Sequence, residues 1–296
     1  MLRSLNSSVS GMKGFQNKLD VIGNNIANVN TIGYKKSRII FQDVLSQTVR
    51  GGSTANANLG GTNPVQIGLG VKTASVDTIH TPGSPTTTNL SSDLYIDGNG
   101  FFVVQNDSGS KYLTRAGNFD RDGLGNLVTP QGYKVIGKDA TTNTFGPINI
   151  DSTKYVSYTI DFNGVIKGVE ADGTTNDIAT LGTVVVSNPA GLKKVGGSMY
   201  ELSGNAETNY QVDLAGNFVL DANGDKIPAV PTIDGLMNTR DITKAGQIVS
   251  GQLEMSNVDL SEEITEMIIA QRAFQANAKV ITVSDSILEE LVNLKR

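Results

Sequence analysis

Residues 24–38 read NNIANVNTIGYKKSR, and this run decides where the first helix of the chain stops. Asn has modest helix propensity, and Gly33 can take the positive φ that closes a helix, so the end is predicted between Asn28 and Gly33. Upstream, Leu5, Met12, Leu19 and Ile26 recur every seven positions, with Val9, Phe15, Ile22 and Val29 at three- and four-residue steps between them. That spacing draws an apolar stripe along a helix of about 25 residues. The far end of the chain carries a second stripe. Leu260, Met267, Phe274, Ile281 and Leu288 again recur every seven, with Ile264 beside them and Val280, Ile287 and Leu294 widening the face. Two ends with one heptad period predict terminal helices that pair as a coiled coil.

Charge agrees with the pairing. Residues 1–50 hold seven bases against two acids, and residues 254–296 hold eight acids against four bases. Opposite signs favour the two ends meeting, although exposed pairs contribute only roughly 0–1 kcal/mol each. Two amphipathic helices docked separately on a globular core would give the same pattern. Lys35, Lys36 and Arg38 are expected on the seam, facing the acidic segment.

At 296 residues the chain has room for one large or two modest domains. Only 38% of residues are apolar, Gly is abundant at 33, and Trp and Cys are absent. This composition suits turn-rich β-structure with a thin core, and excludes disulfides and thiolate metal sites. A net charge of −5 argues against a general nucleic-acid binder. No run approaches about 18 apolar residues, so no transmembrane helix is expected. MLRSLNSSVSGMKGF lacks the continuous apolar core of a cleavable signal. By these physical criteria alone the chain reads as cytoplasmic.

Between the helices the period changes. Tyr34 to Arg50 is mixed, with Ile39, Ile40, Phe41, Val44 and Leu45 as apolar contacts, and Gly51 to Gly70 has too little apolar surface to fold alone. From Val71 the alternation is two-residue. DLYIDGNGFFVVQ (93–105), KYLTRAGNFDRDGLGNLVTPQGYKVIG (111–137), TLGTVVVSNP (180–189) and GQIVSGQLEMS (246–256) read as strands separated by turns. DGLGNLV (122–128) is echoed by DLAGNFV (213–219), too short to indicate duplication. Asp259 is placed to cap the last helix, with Glu262 completing a capping box. The expected fold is therefore α+β. Residues 1–45 and 253–296 form discontinuous paired helices, 46–70 a flexible arm, and 71–252 a central all-β domain with an excursion at about 205–245.

No catalytic constellation is present. His80 is the single histidine, which rules out a His triad or two-His metal site, and it is expected in a surface loop beside TPGSP. DANGD (221–225) opens like a calcium loop, but position twelve is Thr232 rather than Glu, so it reads as a tight turn. IGLGVKTA lacks the Walker lysine, and no GxGxxG opens a helix. No cofactor or metal is expected.

The run NNIANVNTIGYKKSR resembles the N-terminal motif of bacterial flagellar rod and hook proteins, carried here by Asn24, Asn25, Ala27, Asn28, Thr31, Gly33, Tyr34 and Lys35. Residues 93–137 resemble that family's β-domain signature, and SNVDLSEEITEMIIAQRAFQANAKVITVSDSILEELVNL resembles its C-terminal helix. The resemblance implies a non-enzymatic axial subunit exported uncleaved through the flagellar type III apparatus, which replaces the cytoplasmic reading with a flagellar, extracellular one. It implies many copies in a helical tube, with Leu5, Met12, Leu19, Ile22, Ile26, Leu260, Ile264, Met267, Phe274, Ile281 and Leu288 in the inner helical layer. Implied partners are adjacent rod, hook-cap or hook–filament junction proteins and the export apparatus, without nucleic acid or membrane insertion. The resemblance leans towards the hook subunit, with the distal rod subunit as the alternative. The 51–70 arm resembles a stretch found in distal rod proteins and in only some hook proteins. A secreted β-rich adhesin or binding module is the rival of another class. It would expose clustered aromatics, and Trp is absent.

Overall fold

The computed structural model describes residues 2–54, 60–206, 209–210, 228–229, 233–238 and 245–294. They divide into two compact units, and the chain passes between them at 28/29, 35/36, 79/80 and 257/258.

The first unit contains the residues up to Asn28, Lys36–Ile79 and the chain from Val258 onward. Helix α1 spans Leu2–Ala27 and ends at the Asn run as predicted. The Asn28 side-chain amide donates to the Asn24 backbone carbonyl at 2.9 Å and to its side-chain oxygen at 2.8 Å, occupying acceptors at the frayed helix end. Strand β1 (Ser37–Asp43) pairs antiparallel with β4 (Val71–Thr78) in the register Ile39↔Val76 and Phe41↔Thr73. The ring of Phe41 packs against Phe15, with centroids 5.8 Å apart, and over Gly14. Between these strands, β2 (Gln47–Arg50) and β3 (Val65–Ile67) form a fully exposed hairpin, continued by the Ser53↔Thr62 bridge.

This division differs from the expected boundaries in three places, one of them residues 253–257, expected with the last helix and found in the β unit. The strand 71–78, expected to open the β domain, belongs with the helices, because the apolar side of β1 needs a ladder partner before it can pack on α1. Conversely, Val29–Lys35, expected to continue the helical segment, belongs to the β unit.

The long helix at the other end spans Leu260–Asn293; it is α3, α2 being the short helix Ile233–Asn238. Asp259 caps it by accepting from the Ser261 and Glu262 amides. The Glu262 carboxylate, expected to close a capping box, reaches Lys36 at 2.8 Å.

The second unit is the β domain, Val29–Lys35 and His80–Asn257. Its main antiparallel sheet runs in the order Tyr155–Ile160, Val165–Glu170, Thr175–Leu181, Lys134–Asp139, Gly100–Gln105, Lys111–Thr114, Met199–Glu201, Lys193–Gly196. Phe102 and Val104 enter one apolar cluster with Leu94, Val135 and Ile148, while Phe101 and Val103 enter another with Ile136, Val184 and Tyr200. Burial on both faces explains why FFVV is a continuous apolar run rather than an alternating one. Two small ladders, Leu94–Asp97 with Gln247–Ser250 and Pro85–Thr87 with Gln252–Glu254, bring the returning chain back into the unit. DANGD, the DLAGNFV echo and most of the 205–245 excursion lie outside the described residues.

Candidate functional site

In the first unit, α1 and α3 pack along a line the apolar stripes did not mark. The most buried positions of α1 are Ser8, Gly11, Gly14, Ile22 and Asn25, and those of α3 are Glu263, Ala270 and Ser284. Small side chains let the two backbones approach closely. A Cβ on Gly11 would lie 3.2 Å from the Asn277 amide nitrogen, so even a methyl is crowded there. The expected residues flank this line. Leu5, Met12, Leu19, Ile26, Met267, Phe274, Ile281 and Leu288 are half-buried, and only Ile22 is buried outright. Leu260 and Ile264 are exposed, as are Val280, Ile287 and Leu294. The sequence signal was available: Glu263, Ala270, Asn277 and Ser284 also recur every seven, but they are not apolar.

Charge and amide contacts hold the base of the pair. Asn25, 1% exposed, exchanges two hydrogen bonds with the Ser37 backbone, donating to its carbonyl at 2.9 Å and accepting from its amide at 3.0 Å. It also donates to the buried Glu263 carboxylate at 3.1 Å. Lys18 pairs with Glu266, and Lys36 with Glu262. Together with Ile22, Arg38, Ile39 and Ile79 these residues line a groove of about 380 Å³. The expected charge pairing is therefore present for Lys18 and Lys36.

Lys35 does something else. It lies in the β unit, completely buried, with its ammonium 2.5 Å from Glu254 Oε1 and donating to the Thr81 carbonyl at 2.7 Å. The Gly83 amide donates to the same Glu254 oxygen at 2.9 Å, and Arg115 approaches the other at 3.5 Å while donating to the Gly98 carbonyl at 2.7 Å. Burial pushes the Lys35 ammonium below its ordinary range, and the Glu254 charge opposes that shift.

The short segment Val29–Lys35 is strapped into this unit along its length. Gly33 donates to the Glu254 carbonyl at 2.8 Å, Ser198 donates to the Ile32 carbonyl at 3.1 Å, and Lys194 donates to the Lys35 carbonyl at 3.1 Å. The Lys194 ammonium also sits 4.8 Å over the Tyr34 ring. Gly33 is required twice over: its φ is +66°, and a Cβ would come within 2.5 Å of the Ala116 nitrogen.

His80 is not in an exposed loop. Its ring is half-buried, edge-on to Phe101 at 5.7 Å and Tyr200 at 5.3 Å. Among the described residues no cluster of His, Cys, Asp or Glu could hold a metal. No described helix is long and apolar enough to cross a membrane.

Three family models match the chain in order: the flagella basal body rod protein model over residues 5–35, the flagellar hook protein FlgE/F/G D1 domain over 95–168, and the flagellar basal body rod FlgEFG protein C-terminal model over 249–294. A flagellar basal-body rod protein FlgG of Bacillus subtilis is 47% identical over the full length of both chains. The chain belongs to the flagellar rod and hook protein family. A FlgG of Borreliella burgdorferi is 35% identical over all of both chains. The flagellar hook protein FlgE of the same species is 29% identical, again covering both chains, across an alignment of 468 positions. Within this family member, the motif from Asn24 to Lys35 serves three local purposes: Asn24 and Asn28 finish α1, Asn25 ties it to β1, and Gly33 and Lys35 anchor the strap in the β unit.

Proposed function

We propose that the chain is a mechanical subunit of the flagellar rod, polymerising through its terminal helices into a tube that transmits torque, with no catalytic role. The observation that carries this reading is the end-to-end match to the Bacillus subtilis rod protein, whose alignment is 296 positions long, the length of this chain. The Borreliella burgdorferi hook protein requires an alignment of 468 positions, so it carries large segments without a counterpart in these 296 residues. The residues alone lean towards the hook; the full-length match to a rod protein supports the rod reading.

The helices support self-assembly. Leu260, Ile264 and Ile268 recur every four residues along α3, and Val280, Val283, Ile287 and Leu291 follow at three- and four-residue steps. All seven are exposed in the single subunit. An exposed apolar helix of this kind needs neighbours, and burying each such side chain contributes roughly 1.5–3 kcal/mol. Contacts between different patches on successive copies build an open helical array rather than a closed ring. Export through the type III apparatus and contact with adjacent axial proteins follow from the same reading.

The test is location. Gold-labelled antibody against the β unit, applied to isolated hook–basal bodies, should mark the straight rod. Label confined to the curved hook would return the assignment to the hook subunit.

A further inference from the structure

The β unit holds an unusual group of charges where the chain enters and leaves it. Three of the four crossings converge there: Lys35 precedes one, His80 follows another, and Glu254 and Asn257 precede the last. Asn257 joins this set by donating to the Thr81 side chain at 2.9 Å. One carboxylate, Glu254, faces two buried cations, Lys35 and Arg115, with Lys194 partly buried nearby. His80 lies against this cationic group. Both its ring nitrogens are buried, and among the described residues neither makes a hydrogen bond of good geometry. An imidazole in that position is held neutral, because protonation would place a further positive charge among Lys35, Arg115 and Lys194, with only the Pro189 carbonyl close by to receive an N–H.

We propose that His80 makes the segment Val29–Lys35 an acid-opened strap: mild acidification releases this strap from the β unit and loosens the points at which the chain leaves it. The groups facing the ring are Phe101 and the Tyr200 phenol, whose rings also meet each other at 6.0 Å, the Pro189 carbonyl, and the charges of Lys35, Arg115 and Lys194, with Glu254 paired to the first two. The Pro189 carbonyl favours the protonated form only weakly against burial and the three cations. Burial, followed by those cations, lowers the His80 pKa from 6.5 to about 4. Lys35 reaches the carbonyl of Thr81, next to His80, so release of the strap withdraws that cation and admits water to the ring. An open form whose imidazole is thereby ordinary binds the proton more readily than the closed form, and falling pH favours opening. Between pH 7.5 and pH 5.0 the opening equilibrium should rise about 30-fold, a window in which ordinary carboxylates hardly titrate.

Amide hydrogen exchange on the full-length chain tests this, with each rate divided by the intrinsic rate at that pH. The Gly33 amide, bonded to the Glu254 carbonyl, reports the strap, and the Phe102 and Val104 amides report the sheet core. The expected result is a Gly33 protection at least tenfold below that of the core at both pH values, falling about 30-fold on acidification. His80→Phe, which keeps the ring packing, and His80→Gln, which keeps a neutral side chain, should each abolish the fall. An unchanged Gly33 protection overturns the proposal. So does the same fall in both variants, which would assign it to Glu254, or equal protection of strap and core, which would mean the strap opens only with global unfolding.

Discussion

Lys35 and Glu254 form a fully buried ion pair at 2.5 Å although they lie 219 positions apart. The pair ties the segment following α1 to the segment preceding α3, inside the β unit. Glu254 also faces the buried Arg115, so removing its carboxylate leaves two buried cations without a counter-charge, which costs about 3–5 kcal/mol, more than the intact group contributes. Glu254→Gln should therefore lower the urea midpoint of the β unit by that equivalent, while Glu262→Gln, at the exposed pair with Lys36, should shift stability by less than about 1 kcal/mol. Equal effects from the two substitutions would show that the buried pair has no special role.

Glycines offer a paired test. Gly33→Ala imposes φ = +66° on a side chain and drives its Cβ towards the Ala116 backbone. It should destabilise the β unit by at least about 1–3 kcal/mol. Gly23 lies within α1, and a Cβ added there would meet no heavy atom within 4 Å, so Gly23→Ala should stabilise the helix by about 0.5–1 kcal/mol. Circular-dichroism melts of both variants would read the opposite signs.

The exposed side of α3 separates folding from assembly. Ile268 is 53% exposed in the single subunit, so Ile268→Glu should leave the fold intact and block polymerisation. Leu19→Asp and Ile281→Asp, beside the helix seam, should also prevent polymers while the β unit folds normally. Normal tubes from all three would place the assembly surface elsewhere.

The two terminal helices and the β character of the middle were legible in the residues, because a heptad period and a two-residue alternation report helix and strand directly. The end of α1, the Asp259 cap and the FFVV core strand followed from local chemistry. The seam did not, because Gly11, Ala270 and Ser284 pack by being small, and apolar periodicity is blind to that. Nor did the fate of Lys35. Lys35 and Lys36 are adjacent and chemically alike, yet one is buried with Glu254 and the other is paired with Glu262 at the surface. What separates them is the crossing at 35/36, where the chain leaves the β unit. His80 was misplaced for a similar reason: Phe101 and Tyr200, which enclose it, are remote in sequence.

The arm gives a mechanical prediction. The hairpin β2–β3 is exposed throughout, with Val49, Val65 and Ile67 uncovered, and the outward backbone groups of its two strands are open to pairing with adjacent copies. Deleting residues 52–67 should leave polymerisation intact and shorten the persistence length of the tube. Unchanged stiffness would remove the arm from the mechanism.

The central claim, a self-assembling rod subunit, is tested most directly by electron microscopy of polymer grown from the purified full-length chain. The account predicts straight, unbranched, stiff tubes. Uniformly curved, flexible tubes would contradict the rod assignment, and the absence of any helical polymer would contradict assembly through the terminal helices.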